Sequence, residues 1–518
     1  MTRTTKTTND GVVGAETVLR ISTGEPPGEL VETVEDAAED VPVEVVGSTG
    51  VNAFEPLLLA TADGTTLYYP SCSTERAHEV ARSLAADWTP PGDGPAVDHE
   101  PTAMALPVPD AGPLAVGERA VLGRAGWVVP TSLADHEASG GLTALEVAEQ
   151  PDEALSRLGG LTGRGWGDAA ADGSVAELWA TARDADGEPA VVVDGHGAPQ
   201  DRLLLESSPL SVLEGAAVAA RVVGATDVFV YVNEADGRAR EAARAAAEAF
   251  AGAADDLAVD VVAGPDEYKA AEPTMALEAI EGNHRLEARR SPPGPAEYGL
   301  FGRPTLVHTP RTLAHVERAV AGRGGDTRLL TVTGDVESPA TVEVREGQSL
   351  SSALDAVDLD GAFKAACVGG RFGGVTADLD VAASPEALSG AGLGTEGVVE
   401  VLAEGRCLVA FAGDRAAFAE AENCGRCVPC REGSTQLTRL LREVYDGEYR
   451  PDAIAELARV MTASSICEFG VQASRPATTA MATFEDEFQA HAEGTCPTGE
   501  CDAADAPTEP TGPMETPT

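Results

Sequence analysis

Apolar and polar positions follow two rhythms along this chain, and the changes of rhythm divide it. From residue 17 to 89 the β-branched run TVLRIST precedes ELVETVEDAAED, whose apolar residues recur every three to four positions. A second β-branched run, VPVEVVG, then leads through FEPLLLATADGTTLYYP to another helical run, TERAHEVARSLAADW. Such runs predict strands and helices in alternation, hence a small α/β unit over residues 16–90. A Pro/Ala-rich stretch, 91–112, predicts an extended spacer.

Between 113 and 325, the strand-like runs PAVVVDG and DVFVYVN flank helical stretches such as GRAREAARAAAEAFAGAA, the pattern of a doubly wound α/β layer. Residues 326–403 predict short strands, a turn and one helix. From 404 to 490 the apolar stripes are helical: Leu437, Leu440, Leu441 and Val444 form one, and Ile454, Leu457, Val460 and Met461 follow Pro451 on a second. A third helix is expected after Cys467, carrying Met481, Phe484 and Phe488. The predicted fold is therefore an α/β multidomain chain ending in a helical bundle. A disordered segment is expected at 1–15 and an acidic, cysteine-containing tail at 491–518.

Charge narrows the setting. The 518 residues carry 85 acidic against 36 basic side chains, a formal charge of −49, and only Lys6, Lys269 and Lys364 are lysines. Such a surface repels nucleic acid and anionic membranes and stays soluble where salt screens its self-repulsion, so it reads as a halophile's protein. No apolar run approaches the roughly 18 residues of a membrane span, and the N-terminus lacks a signal-peptide core. A cytoplasmic location is expected, and nine cysteines without a disulfide framework fit a reducing compartment.

The cysteines carry the candidate chemistry. Cys424, Cys427 and Cys430 lie in CGRCVPC, and Cys467 follows in SSICEFG. Three thiols on one loop and a fourth from a distant segment suit a 4Fe-4S cluster. A structural zinc accepts the same four thiolates, although zinc knuckles usually bring two CxxC pairs. His491, Cys496 and Cys501 form a second candidate set, for zinc, with free thiols in a mobile tail as the alternative. Cys367 reads as core, and Cys72 as a scattered single thiol.

Taken with MALEAIEG, GLFGRPT and TVTGDVESPATVEV, the cysteine motifs resemble the flavin- and NADH-binding subunit of type-1 NADH dehydrogenase, its F subunit, at the front end of respiratory complex I. The diaphorase subunits of soluble hydrogenases and formate dehydrogenases are similar. The resemblance spans roughly residues 118–490 and implies domain identities: a thioredoxin-like unit at 16–90, a flavin-type layer at 113–325, a β-grasp insert at 326–403 and a cluster-bearing bundle at 404–490. Ser48 and Asn52 stand where the thioredoxin-like relatives hold cluster cysteines, so no 2Fe-2S cluster is expected there.

The resemblance also implies an FMN site on Gly163, Arg164, Gly165, Gly167, Asp201, Tyr268 and Glu272, with NADH above it. Much of that pattern has changed. Trp166 replaces a glycine of the phosphate loop, His308 and Thr309 replace two asparagines, and Arg311 replaces a glutamate. His196 and His308 are candidates for proton transfer, though a lone loop histidine more often lies at the surface. Arg431 matches the family's C-R-E-G, where a cation favours the reduced cluster.

The expected function is an electron-transfer iron–sulfur subunit with an eroded FMN and NADH pocket, working with other redox subunits; no catalytic residue is assigned. Two alternatives stand beside it: an intact FMN-dependent NADH:acceptor oxidoreductase subunit, and a non-redox scaffold whose thiols hold zinc.

Overall fold

The structure, a computed structural model, describes residues 11–24, 28–38, 40–86, 91–92, 94–254 and 257–501. Three sheets and a helical bundle follow one another along the chain.

The first sheet has the strand order Val43–Val46, Thr17–Ser22, Leu57–Ala62, Thr65–Tyr69, Ala96–Asp98. Its first pair is parallel, with Leu19 opposite Val43, and the remaining pairs are antiparallel. Side chains alternate across a strand, so Leu58 and Ala60 meet helices Gly28–Ala38 and Thr74–Ala85 while Leu57 and Leu59 face Trp127 and Val128 of the next unit. Buried on that second face, Arg20 donates to the carbonyls of Trp127 and Val12 at 2.9 Å and lies 3.8 Å from the centre of the Trp127 ring.

Two expectations change here. The spacer is partly built in, because Ala96–Asp98 adds an edge strand and Leu106 is buried. Of the segment expected to be disordered, residues 1–10 lie outside the described residues, but Val12 is buried beneath the first sheet.

A second sheet is wholly parallel, in the order Ala258–Gly264, Asp227–Asn233, Ala190–Asp194, Thr305–His308. Its central strand, Ala190–Asp194, is buried throughout, as expected when helices cover both faces. Helices Pro209–Val223 and Pro310–Val320 pack across each other at Gly215, where an added Cβ would stand 2.1 Å from the Leu313 carbonyl oxygen. The carboxyl ends of these strands, the side on which such sheets bind ligands, carry the buried Asp194 and His308.

The third sheet runs Ala340–Arg345, Thr327–Gly334, Val398–Ala403, Phe363–Val368, Gly374–Thr376. Only the pair Thr327–Gly334 with Val398–Ala403 is parallel. Helices Leu408–Glu422, Val428–Tyr445 and Pro451–Ser464 form the bundle. The single helix expected after Cys467 is three short ones, Glu468–Gln472, Arg475–Thr483 and Glu485–Ala492. Pro476 occupies the first turn of the second, where a missing N–H costs nothing but the preceding helix cannot continue.

Among the described residues no single helix is long and apolar enough to cross a membrane. The one pair that would pass together, Pro199–Ser207 and Pro209–Val223, is bent by 100°.

Candidate functional site

The four predicted cluster cysteines come together at the ends of helices. Cys427 is the residue before helix Val428–Tyr445, Cys430 lies in its first turn, and Cys467 precedes helix Glu468–Gln472. Amide dipoles at a helix start favour thiolate over thiol. Cys424 is held by the preceding residue: the Asn423 side chain donates to the carbonyls of Ala419 and Glu420 at 2.9 and 2.8 Å and accepts from the Gly425 amide at 3.0 Å. Gly425 then turns at φ +75°, a backbone state that suits glycine.

The thiols sense one another. Burial, then the neighbouring Cys427, Cys467 and Cys424, push the Cys430 thiol far up, and burial followed by Glu272 lifts Cys467 to about 12. Packing is close, for a Cβ on Gly470 would stand 2.8 Å from the Cys430 Cβ. Arg431 donates from Nη1 to the Gly425 carbonyl at 2.8 Å and pairs with Glu432, so it braces the cysteine loop.

An aromatic group separates these thiols from the glycine-rich loop. Trp166 stacks on Tyr268 with ring centroids 4.8 Å apart and planes 12° from parallel, and Phe372, Phe418 and Phe469 meet the Tyr268 ring edge to face. Cys427, Cys430 and Cys467 pack against the same group.

The loop itself is folded onto protein acceptors. The amide of Gly163 donates to Gly173 O, Arg164 to Thr312 Oγ1, and Trp166 to a Glu396 carboxylate oxygen. Asp168 donates to Gly165 O, Ala169 to Val307 O, and Ala170 to Asp168 Oδ1, while Ala171, Asp172 and Gly173 bond within the turn. From 163 to 173 only the amides of Gly165 and Gly167 lack a protein acceptor. Even there space is taken: a Cβ on Gly165 would stand 2.3 Å from Arg311 Nη2, and one on Gly167 3.0 Å from Asp194 Oδ2.

The remaining predicted flavin contacts have internal partners. Asp201 receives the buried Arg311 guanidinium in a two-point pair, Nε to Oδ1 at 3.0 Å and Nη2 to Oδ2 at 2.9 Å, and Arg311 also reaches Glu396 at 3.0 Å. Burial pushes the Asp201 carboxyl up to about 6 against the pull of Arg311. Glu272 caps helix Pro273–Ile280, accepting from the amides of Thr274 and Met275 at 3.0 and 2.9 Å. The Arg164 guanidinium is buried and donates to Thr162 O at 2.6 Å.

Both candidate histidines are buried, contrary to the surface expectation. Trp179 donates to His308 Nε2 at 2.8 Å, which leaves the His308 proton on Nδ1 facing Asp168 at 3.0 Å. Burial would raise the Asp168 carboxyl, but His308 and hydrogen bonds from Thr312 and Ala170 outweigh it and hold it low. With both ring nitrogens engaged, His308 is a structural link. His196 bonds through Nε2 to Pro265 O at 2.8 Å and stacks on Tyr231, and burial lowers its pKa, which keeps it neutral.

The tail set gains a member. Cys407, fully buried ahead of helix Leu408–Glu422, joins His491, Cys496 and Cys501, with all four ligand atoms within 4.8 Å of one another. His491 Nδ1 donates to Glu487 O at 2.8 Å, which aims Nε2 at Cys407 Sγ, 3.2 Å away. Burial opposes the Cys496 thiolate, yet hydrogen bonds from Thr498 and Cys501 prevail and set it at about 6. Cys496 and Cys501 pack against the bundle as free thiols; 502–518 lie outside the described residues. Cys407 has no local signature in sequence, being a lone thiol in GRCLVAF far from its partners.

The NADH-ubiquinone oxidoreductase-F iron-sulfur binding region matches residues 410–491, and the Nuo51 FMN-binding domain matches 179–318, beginning beyond the glycine-rich loop. The F 2 subunit of the NADH-quinone oxidoreductase of Rhizobium meliloti (strain 1021) is 31% identical over 403 residues, 70% of this chain and 94% of its own length. NADP-reducing hydrogenase subunit HndC of Solidesulfovibrio fructosivorans is 30% identical over 423 residues, covering 73% and 84%. A crystal structure of NAD+-reducing [NiFe]-hydrogenase in the H2-reduced state superposes with a TM-score of 0.60 at 22% identity, covering 92% of this chain and 85% of that one, a likeness of fold. Two cysteine centres on a helical bundle, behind a parallel α/β layer, are thus carried by a chain that belongs to the family of the NADH-quinone oxidoreductase F subunit.

Proposed function

We propose that this chain is the iron–sulfur electron-transfer subunit of an NADH dehydrogenase-like complex, holding one 4Fe-4S cluster on Cys424, Cys427, Cys430 and Cys467. The carrying observation is the mutual approach of four thiols, Cys427, Cys430 and Cys467 at helix starts and Cys424 in the Asn423 turn, the first three packed on one aromatic group. Burial and charged neighbours push the Cys430 and Cys467 thiols up, so these two need a cationic metal to persist as thiolates. Bound there, a cubane cluster would accept and pass single electrons. The protein's part is to fix the thiolates through helix starts and the Asn423 turn, and to brace the loop with Arg431. Val428, next to Cys427, is 59% exposed, so a partner redox subunit can approach the centre.

The flavin entrance of this chain is rebuilt. A phosphate cradle works through free backbone N–H groups. Here the amides from 163 to 173, Gly165 and Gly167 apart, already donate to protein acceptors, and Arg311 packs on Gly165. The residues of this loop therefore do not fit an FMN phosphate, and no step is assigned to flavin or NADH. Electrons then come from a partner subunit, in a reducing cytoplasm.

The tail tetrad fits zinc, with Cys407, Cys496, Cys501 and His491 Nε2 as ligands. Zinc–sulfur bonds of about 2.3 Å put neighbouring ligands of a tetrahedron about 3.8 Å apart, so little closing of the observed group is needed. Such an ion would tie residues 491–501 to the start of helix Leu408–Glu422.

Anaerobic purification in high salt with iron, sulfide, zinc and flavin quantified together tests the reading. Iron and sulfide in equal amounts, one zinc per chain and no stoichiometric flavin are expected. Stoichiometric FMN bleached by NADH would establish the intact oxidoreductase instead, and zinc without iron would establish the scaffold.

A further inference from the structure

A cavity of about 380 Å³ lies away from both cysteine centres, between the loop at 119–124 and the end of helix Pro310–Val320. Four guanidinium side chains line it, Arg119, Arg124, Arg318 and Arg323, against one carboxylate, Glu317. In a chain with 85 acidic and 36 basic residues this concentration of positive charge is against the general composition.

Two of the four are committed. Arg124 donates to Ser139 and Ser211, at 2.9 Å from Nε and 2.7 Å from Nη1, and stands 3.5 Å from Glu317, which also pairs with Arg323. Arg119 and Arg318 have no ion pair among the described residues. Arg119 is anchored by Nη2 on the carbonyls of Thr49, Leu122 and Ala125, while its buried Nε has no hydrogen-bond partner. Arg318 gives Nη2 to the Arg323 carbonyl at 2.9 Å. The next carboxylate, Glu343, lies behind the wall and is taken by the amides of Val121 and Leu122 and by Thr327.

A buried guanidinium with no carboxylate in direct contact is costly, and burial lowers Arg119 to about 10 and lowers Arg318 as well, against the weaker pull of Glu343 on both and of Glu317 on Arg318. An anion would restore both, and the phosphate group matches the arginine fork. Met104, Ala105, Ala120 and Ala314 make the rest of the wall apolar, leaving room for an organic portion.

We propose that this cavity binds a small phosphate-bearing molecule, with Arg119 and Arg318 as its anion ligands and Arg124 and Arg323 as the supporting frame. Calorimetric titration of the full chain at fixed high KCl, with inorganic phosphate and separately with AMP, tests this. Saturable one-site binding is expected, weakened at least tenfold in Arg318→Gln, with the thermal midpoint and iron content of that variant unchanged. Binding of AMP more tightly than phosphate assigns a phosphate ester, and the reverse assigns free phosphate. Absence of saturable binding by either probe, or equal affinity in Arg318→Gln, overturns the proposal.

Discussion

Asp194 and Asp201 are both buried near the glycine-rich loop, yet their surroundings give them opposite roles. Asp201 pairs with the Arg311 guanidinium; Asp194 is pushed well above the usual carboxylate range by burial, and its Oδ2 has no hydrogen-bond partner. Asp201→Asn leaves the buried Arg311 guanidinium with Glu396 alone as its anionic partner and should cost about 3 kcal/mol, read as a fall in thermal midpoint. Asp194→Asn keeps the shape of a carboxyl whose charged form burial disfavours, so it should change stability little near pH 4 and raise it at neutral pH. A carboxyl raised in the native state holds its proton while the unfolded chain releases it. Stability therefore falls as pH rises above about 4, the unfolded value, and Asp194→Asn should flatten that slope in pH-dependent melts. Equal losses in both variants would contradict these assignments.

At the scale of elements, close approach and helix breaks decide what sequence could reveal. Gly215 lets two helices cross where its Cβ would strike the Leu313 carbonyl, so Gly215→Ala should cost about 1–3 kcal/mol through forced separation, measured by denaturant midpoint. The parallel sheet was legible because Ala190–Asp194 and Asp227–Asn233 are Val-rich runs buried by covering helices. The stripes of helices Val428–Tyr445 and Pro451–Ser464 were legible for the same reason. The three-way break after Cys467 was not, since Met481, Phe484 and Phe488 keep a helical spacing across it. Cys407 was also hidden, because its partners arrive only through tertiary folding. Chelation of zinc should lower the thermal midpoint of the native chain and leave that of Cys407→Ser unchanged; an equal effect on both would remove the metal from that site.

Across the whole molecule, the first sheet is locked to the neighbouring unit by Arg20 against Trp127. The sheet's strands were readable in sequence, but the docking was not, because a buried arginine inside a strand carries no local mark of its partner. The formal charge of −49 should make the thermal midpoint rise with KCl well beyond the range where a neutral chain levels off. The glycine-rich loop was half legible: Trp166 and Arg311 stand out in the sequence, while the bonding of the loop amides to Glu396, Thr312 and Val307 depends on tertiary folding. The central claim is the quartet of thiolates, and low-temperature electron paramagnetic resonance of the anaerobically purified, dithionite-reduced chain tests it most directly. A reduced 4Fe-4S signal in the native chain, lost or transformed in Cys467→Ser while the Cys407→Ser signal persists, is the predicted result; a native chain without the signal, or a Cys467→Ser signal identical to the native one, would contradict it.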